Sequence, residues 1–317
     1  MAMAVGTMLL VPAAGAHAQR VDYSATLSAS RGSFIFSEPT TSWVFDQGFA
    51  WNAERWRLGL NLPVVRQNSS AITYVGGIPV PTGGPYAGAV RGRTGGTSVP
   101  MQGRRGSGAG GGGGGAGTVR DASAPGAAGL TLLPGPVAAL VDSGAVEEPG
   151  PYTLNVGDPV LQAGADVGFG PEERARLGFT LLGKIPVATV ESGVGTGEFD
   201  YGAGLSFSVS GERGFFFADV MHWRLGDLPD LPLNDLTSGA LGVGVSFGEA
   251  RRLSALASVS ASTAVVDNVE APRSAGLSLG YAVREGRFVT LGGTAGLSES
   301  AADWTVTVGW RASLRPR

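Results

Sequence analysis

The 317-residue chain carries few charges, because only 15% of its residues are Asp, Glu, Lys or Arg against about 25% in typical soluble domains. Its formal net charge is -3, whereas a nucleic-acid-binding protein usually has an excess of basic residues. The absence of cysteine excludes thiolate metal sites, cysteine nucleophiles and disulfides. The sequence also has no uninterrupted apolar stretch of about 18 residues, which a transmembrane helix requires.

The N-terminal segment has the pattern of an export signal. An apolar stretch from Val5 to Val11 is followed by small residues and ends in Ala16-His17-Ala18, a small-x-small cleavage pattern. We therefore predict a signal peptide at residues 1–18, cleaved after Ala18. The alternative, a short buried helix, would make the Ala-x-Ala ending a coincidence.

Several segments of residues 19–317 alternate between apolar and small or polar side chains, which is the period of a strand with two different faces. In the last segment, Trp304, Val306, Val308 and Trp310 alternate with Thr305, Thr307, Gly309 and Arg311. A soluble sandwich would carry Lys, Glu and Arg on its second face, whereas this face carries Gly, Ser, Thr and scattered charges. We expect the four apolar residues to face lipid and Thr305, Thr307 and Arg311 to face the lumen of a barrel.

Short polar turns recur between the strands and alternate with longer connections. These turns are Asn52 to Arg55, Gly170 to Arg174, Ser210 to Gly214, Gly248 to Arg252 and Arg284 to Arg287. Tight periplasmic turns and long extracellular loops are typical of outer-membrane barrels. We place about twelve strands near 20–30, 41–52, 54–67, 153–169, 174–188, 199–210, 214–224, 238–248, 252–264, 273–284, 286–297 and 302–314.

The predicted fold is therefore all-β, a transmembrane antiparallel β-barrel of about twelve strands with both termini on the periplasmic side. This fold places the protein in the bacterial outer membrane. Its expected partners are the lipid bilayer, the barrel-assembly machinery and a small-molecule substrate that the sequence does not identify. Nucleic acid is not among them.

A long glycine-rich connection spans about residues 68–150, and we expect it to be extracellular. Its middle, Met101 to Gly117, has too few apolar side chains to offset the entropy of ordering, so we expect it to be mobile. The more apolar stretch from Leu130 to Val141 is interrupted by Pro134 and Pro136. We favour a loose extracellular loop over a plug that constricts the pore.

No catalytic, cofactor-binding or metal-binding residue is predicted. His222 is the only histidine after residue 18, and its aromatic surroundings favour a place in the girdle at the membrane interface over a catalytic role. Asp219 breaks the alternation of the same strand. Possible lumen-facing residues are Lys184, Asp200 and Arg311.

The glycine-rich run Gly193 to Gly197 superficially resembles a phosphate-binding loop. A dinucleotide fingerprint would need glycine at position 198, which is Glu198, and a following helix. We instead expect a flexible hairpin loop between strands that end near Ala188 and start at Phe199.

Several short motifs carry a family resemblance over most of the chain. They are NVGDPVL at 155–161, KIPVATVESGVGTGEFDYG at 184–202, RWRLGLNLPVVRQNSS at 55–70 and PTGG at 81–84. They resemble the outer-membrane transporter-like family named for the MetA pathway of phenol degradation. The resemblance implies a membrane barrel with a role in the uptake of small, often aromatic, compounds, and it supplies no established binding residue. The glycine tract at 110–117 and the ending Arg315-Pro316-Arg317 depart from the family pattern.

Three functions remain open on this evidence. A channel or transporter for small aromatic or hydrophobic compounds is favoured, because about twelve strands enclose more space than the filled interior of an eight-stranded barrel. A structural or surface-exposed barrel without transport activity is the second possibility. An outer-membrane hydrolase that uses His222 is the third.

Overall fold

The computed structural model of this protein describes most of the chain beyond residue 19. The described ranges are 20–34, 39–53, 55–69, 72–75, 78–80, 152–228, 231–248, 251–267 and 269–314. The predicted signal peptide, the glycine-rich middle of the long connection and residues 315–317 lie outside them. Among the residues described, no helix is both long and apolar enough to cross a membrane.

The described elements are almost all strands. In chain order they are β1 Arg20–Gly32, β2 Thr40–Asn52, β3 Trp56–Gln67, β4 Thr73–Val75, β5 Ile78–Val80, β6 Thr153–Val156, β7 Val160–Phe169, β8 Ala175–Lys184, β9 Asp200–Ser210, β10 Gly214–Arg224, β11 Leu236–Phe247, β12 Leu253–Ser262, β13 Arg273–Arg284, β14 Arg287–Gly296 and β15 Trp304–Leu314. Two short 3-10 helices, Pro171–Glu173 and Val190–Ser192, lie in the connections.

All of these strands except β4 and β5, which pair with each other in a separate two-stranded sheet, form a closed antiparallel ring. Each strand from β7 to β15 pairs with its neighbour in sequence, β15 pairs with β1, β1 with β2, and β2 with β3. Both β6 and β7 pair with β3 and share one position in the ring. The ring therefore has twelve strand positions, which confirms the predicted barrel and leaves no open sheet edge.

Two predicted strands differ from the observed ones. The strand predicted at 153–169 is interrupted at residues 157–159, where Pro159 lacks a backbone N–H and Asp158 accepts hydrogen bonds from a neighbouring loop. The strand predicted at 174–188 ends at Lys184. It stops there because the N–H groups of Val187 and Ala188 donate to Asp158 instead of to a strand.

The strand pairs that the predicted tight turns join all meet at the end of the barrel that holds the first residue of β1 and the last residue of β15. In three of these turns a glycine has positive φ, namely Gly170, Gly248 and Gly286. An L-residue with a side chain rarely adopts this conformation. The opposite end of the barrel carries the longer loops, and we call this end the mouth.

The outer face of the ring is apolar and uncovered. In β15, Trp304, Val306, Val308 and Trp310 are 36–46% exposed, whereas Thr307 between them is 3% exposed. Comparable residues project from the other strands, for example Leu277 at 71% and Val243 at 59%. A continuous apolar belt of this kind would be a liability in water, and it suits a surface that meets lipid. The side of the last strand that was predicted to face lipid lies on the exposed outer face of the ring.

Candidate functional site

One wall of the barrel interior, formed by β11 to β15 and β1, carries small neutral polar side chains. Two pairs of hydroxyl groups bond to each other across strands: Ser28 with Thr307 at 3.0 Å and Ser260 with Ser274 at 2.7 Å. The two hydroxyls of each pair serve as donor and acceptor for each other, so they need no fixed charge nearby. These hydroxyl pairs therefore make a polar surface without fixed charge.

Aromatic rings lie flat against the interior wall over glycines of the neighbouring strand. A Cβ atom on Gly244 would lie 2.0 Å from Cζ of Phe215, and one on Gly242 would lie 2.2 Å from Cε1 of Phe217. Only glycine leaves room for such an approach of a stiff ring to the backbone. These glycines keep the rings against the wall instead of across the barrel.

The same wall carries a charged network centred on Asp22 of β1, nearer the end of the barrel with the tight turns. Its carboxylate accepts hydrogen bonds from Arg311 of β15, from Arg20 at 2.8 Å and from Asn52 at 3.1 Å. The structure thus places the predicted residue Arg311 at an ion pair with Asp22. Sequence reasoning did not single out Asp22, although the alternation of β1 puts it on one face with Ser24 and Thr26.

Lys184, at the mouth end of β8, stands at the centre of a buried cluster. Its Nζ atom lies 3.1 Å from Oδ2 of Asp158 and 2.8 Å from Oδ2 of Asp200, and it donates to Oγ1 of Thr196 at 2.7 Å. The side chains of Lys184, Asp158 and Asp200 are at most 2% exposed. Lys184 and Asp200 were both predicted from the sequence, whereas their two partners were not.

The two aspartates of this cluster hold two loops at the mouth. We call residues 185–199 the first mouth loop and residues 225–235 the second. Oδ1 of Asp158 accepts the N–H groups of Val187 and Ala188, both at 2.8 Å, and Oδ1 of Asp200 accepts that of Gly226 at 2.9 Å. One buried cation therefore connects the barrel wall to both loops.

Both mouth loops fold onto inward-facing apolar side chains. A first apolar cluster comprises Val160, Leu182, Met221, Trp223, Leu225, Leu228, Leu231, Leu233, Leu236, Val265, Val266 and Val269. A second comprises Phe34, Val65, Ile72, Tyr74, Ala188, Val194 and Ala302. Each cluster joins residues from strand ends with residues from loops. The described loops thus pack over the interior at the mouth instead of extending away from it.

The loop at Gly193 to Gly197, predicted as a flexible hairpin loop, is packed at the mouth. Val194 is fully buried and Thr196 is 1% exposed. A Cβ atom on Gly195 would lie 2.9 Å from Oδ2 of Asp158. Gly195 therefore lets the loop backbone come close to the buried ion cluster of Lys184.

The first described part of the long connection also packs at the mouth. Gln67 on the inner face of β3 donates to the carbonyls of Ile72 and Gly193, at 3.1 and 3.2 Å, and Ile72 is fully buried. Burial raises the pKa of Tyr74, in the β4–β5 hairpin, to about 12, which keeps the phenol neutral. Residues 72–75 are therefore packed at the mouth, whereas the middle of the connection, which we expect to be mobile, lies outside the described residues.

A search of solved structures places this architecture among known barrels. The structure matches an outer membrane channel from Pseudomonas putida F1 with a TM-score of 0.57 at 11% identity, over 95% of this chain and 99% of that one. The chain has the fold of an outer-membrane channel. A toluene transporter from Pseudomonas putida, TodX, matches with a TM-score of 0.36 at 10% identity, over 95% of this chain and 89% of that one. No protein-family model and no curated protein matches the sequence.

The remaining sequence candidates lie at opposite faces of β10. His222 is exposed, and its Nδ1 atom lies 2.9 Å from Oγ1 of Thr237. In the register of β9 and β10 it is opposite Ala203, whereas Asp219 is opposite Ser206 of the polar interior face. Among the described residues, no group of three or more His, Cys, Asp or Glu side chains could hold a metal ion.

Proposed function

We propose that this protein is a channel or transporter of the bacterial outer membrane for small molecules, aromatic or hydrophobic compounds among them. The observation that carries the proposal is the closed ring with two unlike faces. The outer face is apolar and exposed, whereas the inner face holds hydroxyls, glycines and the charged network at Asp22. Such a wall separates lipid from a polar interior, as a channel requires.

The packing at the mouth favours a gated channel over a permanently open pore. The ion cluster of Lys184 holds both mouth loops, and two apolar clusters form beneath them. Conduction then requires these loops to move or to leave a narrow path. The same packing is the observation that favours the alternative, a structural or surface barrel that transports nothing.

Export and assembly belong to the same proposal. The expected signal peptide at residues 1–18 would deliver the chain to the envelope, and the barrel-assembly machinery would insert it. Neither catalysis nor a cofactor is part of the proposal, and its family membership is supported by the motif resemblance alone.

Liposome swelling separates a channel from a structural barrel. Liposomes that contain the refolded protein are diluted into isotonic solutions of neutral solutes of increasing size, beginning with a pentose. We expect swelling faster than in protein-free liposomes, with a rate that falls as the solute becomes larger. Liposomes prepared with boiled protein are the control. A folded barrel that gives no swelling above this control with any solute would contradict transport and support the structural alternative.

A further inference from the structure

Arg57 occupies the first inward-facing position of β3. Its neighbours in the strand, Trp56 and Leu58, are 66% and 54% exposed on the lipid side, whereas Arg57 is 8% exposed. The side chain therefore projects into the barrel and is more than nine-tenths buried. A buried guanidinium is costly unless a partner compensates its charge and its hydrogen bonds.

Arg57 has no such partner among the residues that the structure describes. None of their carboxylates lies within 4.0 Å of its guanidinium, and it makes no hydrogen bond there. Asp166 and Asp22 interact with it electrostatically at longer range. Asp22 already binds both Arg20 and Arg311, so it cannot neutralise a third cation as well.

A second unpaired group lies beside Arg57. Oγ1 of Thr180 on β8 is buried and has no hydrogen-bond partner among the described residues. Between the two strands runs β7, where Gly164 opposes Arg57 on one side and Thr180 on the other. Nη2 of Arg57 and Oγ1 of Thr180 each lie 3.2 Å from the position that a Cβ on Gly164 would occupy. A cation and a hydroxyl thus converge over a glycine that leaves space for both.

The inner face next to Thr180 is apolar toward the mouth end of β8 and across β9 toward β10. Leu182 is the next inward residue of β8 after Thr180. Gly204 of β9 is opposite Thr180 on one side and opposite Met221 of β10 on the other, so Met221 lies in the same cross-strand row as Thr180. Both Leu182 and Met221 belong to the first apolar cluster. A small molecule held at Arg57 would therefore place its nonpolar part toward Leu182 and Met221.

We infer that Arg57 and Thr180 form a subsite for a carboxylate on a small, partly apolar solute. The guanidinium presents paired N–H donors whose spacing matches the two oxygens of a carboxylate. The Thr180 hydroxyl donates a further hydrogen bond, which gives this buried oxygen the partner that it lacks. The inference rests on the proposed function, since it names the class of solute that the lumen binds.

Binding of benzoate to the refolded protein in detergent tests this subsite without requiring transport. Isothermal titration calorimetry is performed on the unmodified protein, Arg57→Gln and Thr180→Val, with benzamide as the neutral comparison ligand. We expect saturable benzoate binding that Arg57→Gln weakens about tenfold to a hundredfold, as for a lost hydrogen bond to a charged group. Benzamide should bind more weakly and respond little to the Arg57 substitution.

Thr180→Val keeps the inference testable if Arg57→Gln fails to fold. Valine has nearly the shape of threonine and removes a hydroxyl that is unpaired in the structure, so the folded barrel should be at least as stable while benzoate binding weakens. Arg174→Gln, in an exposed turn, removes the same charge outside the lumen and should leave binding unchanged. Absence of saturable binding, or equal affinities in all variants, would overturn the subsite. Liposome swelling reports on the channel separately.

Discussion

Lys184→Met is expected to destabilise the protein by about 3 to 5 kcal/mol, the usual cost of removing one partner from a buried ion pair. The substitution leaves the carboxylates of Asp158 and Asp200 buried without their cation. Because these carboxylates also anchor the two mouth loops, the loops should open before the barrel wall unfolds. Urea unfolding in lipid vesicles, together with hydrogen exchange of residues 185–199 and 225–235, measures both effects.

The triple variant Lys184→Met, Asp158→Asn, Asp200→Asn is the matched control. Asparagine retains an oxygen that can accept the backbone N–H groups of the loops, and the variant has no unpaired buried charge. It should recover much of the lost stability and the protection of the loops. If Lys184→Met is as stable as the unmodified protein, or if the triple variant is less stable than Lys184→Met, the cluster does not hold the mouth.

Val308→Arg is expected to destabilise the barrel by about 2 to 4 kcal/mol, the cost of an arginine on the lipid face near the bilayer midplane. Val308 lies in the middle of β15 and is 41% exposed on the outer face. Thr305→Arg, on the inner face of the same strand, places the same side chain where water and counter-charges are available. Unfolding in vesicles should therefore show a large loss for the first variant and a small one for the second.

Equal losses at Val308 and Thr305 would mean that the two faces of β15 meet similar surroundings. Such a result would contradict the assignment of lipid and lumen to the two faces. A loss at Thr305 alone would reverse the assignment.

The barrel could be predicted from the sequence because its signal is local. Trp304, Val306 and Val308 share a face simply because side chains alternate along a strand, and the tight turns carry their own polar signature. The interruption of the wall at Asp158 could not be predicted in this way. It depends on backbone groups of Val187 and Ala188, which are distant in sequence.

The interior site could be predicted only in part, for a related reason. Lys184 and Asp200 stood out as charged residues beside alternating segments, but their meeting depends on the register of β8 against β9, in which they are direct partners. The sequence contained a signal for Arg57, since Leu58, Leu60 and Leu62 alternate with Arg57, Gly59 and Asn61. Arg57 was nevertheless not among the predicted lumen-facing residues. Its missing ion-pair partner, in contrast, is visible only in three dimensions.

Cysteine labelling within one strand tests most directly whether the barrel encloses a water-accessible lumen. The chain contains no cysteine, so Ser258→Cys and Val259→Cys each introduce a single thiol at adjacent positions of β12. Ser258 faces the interior and is half-buried, whereas Val259 is 51% exposed on the outer face. In lipid vesicles, a charged maleimide that cannot cross the bilayer should label position 258 readily and position 259 very slowly. Rapid labelling at 259 with none at 258 would contradict the proposed arrangement of a polar lumen inside a lipid-facing wall.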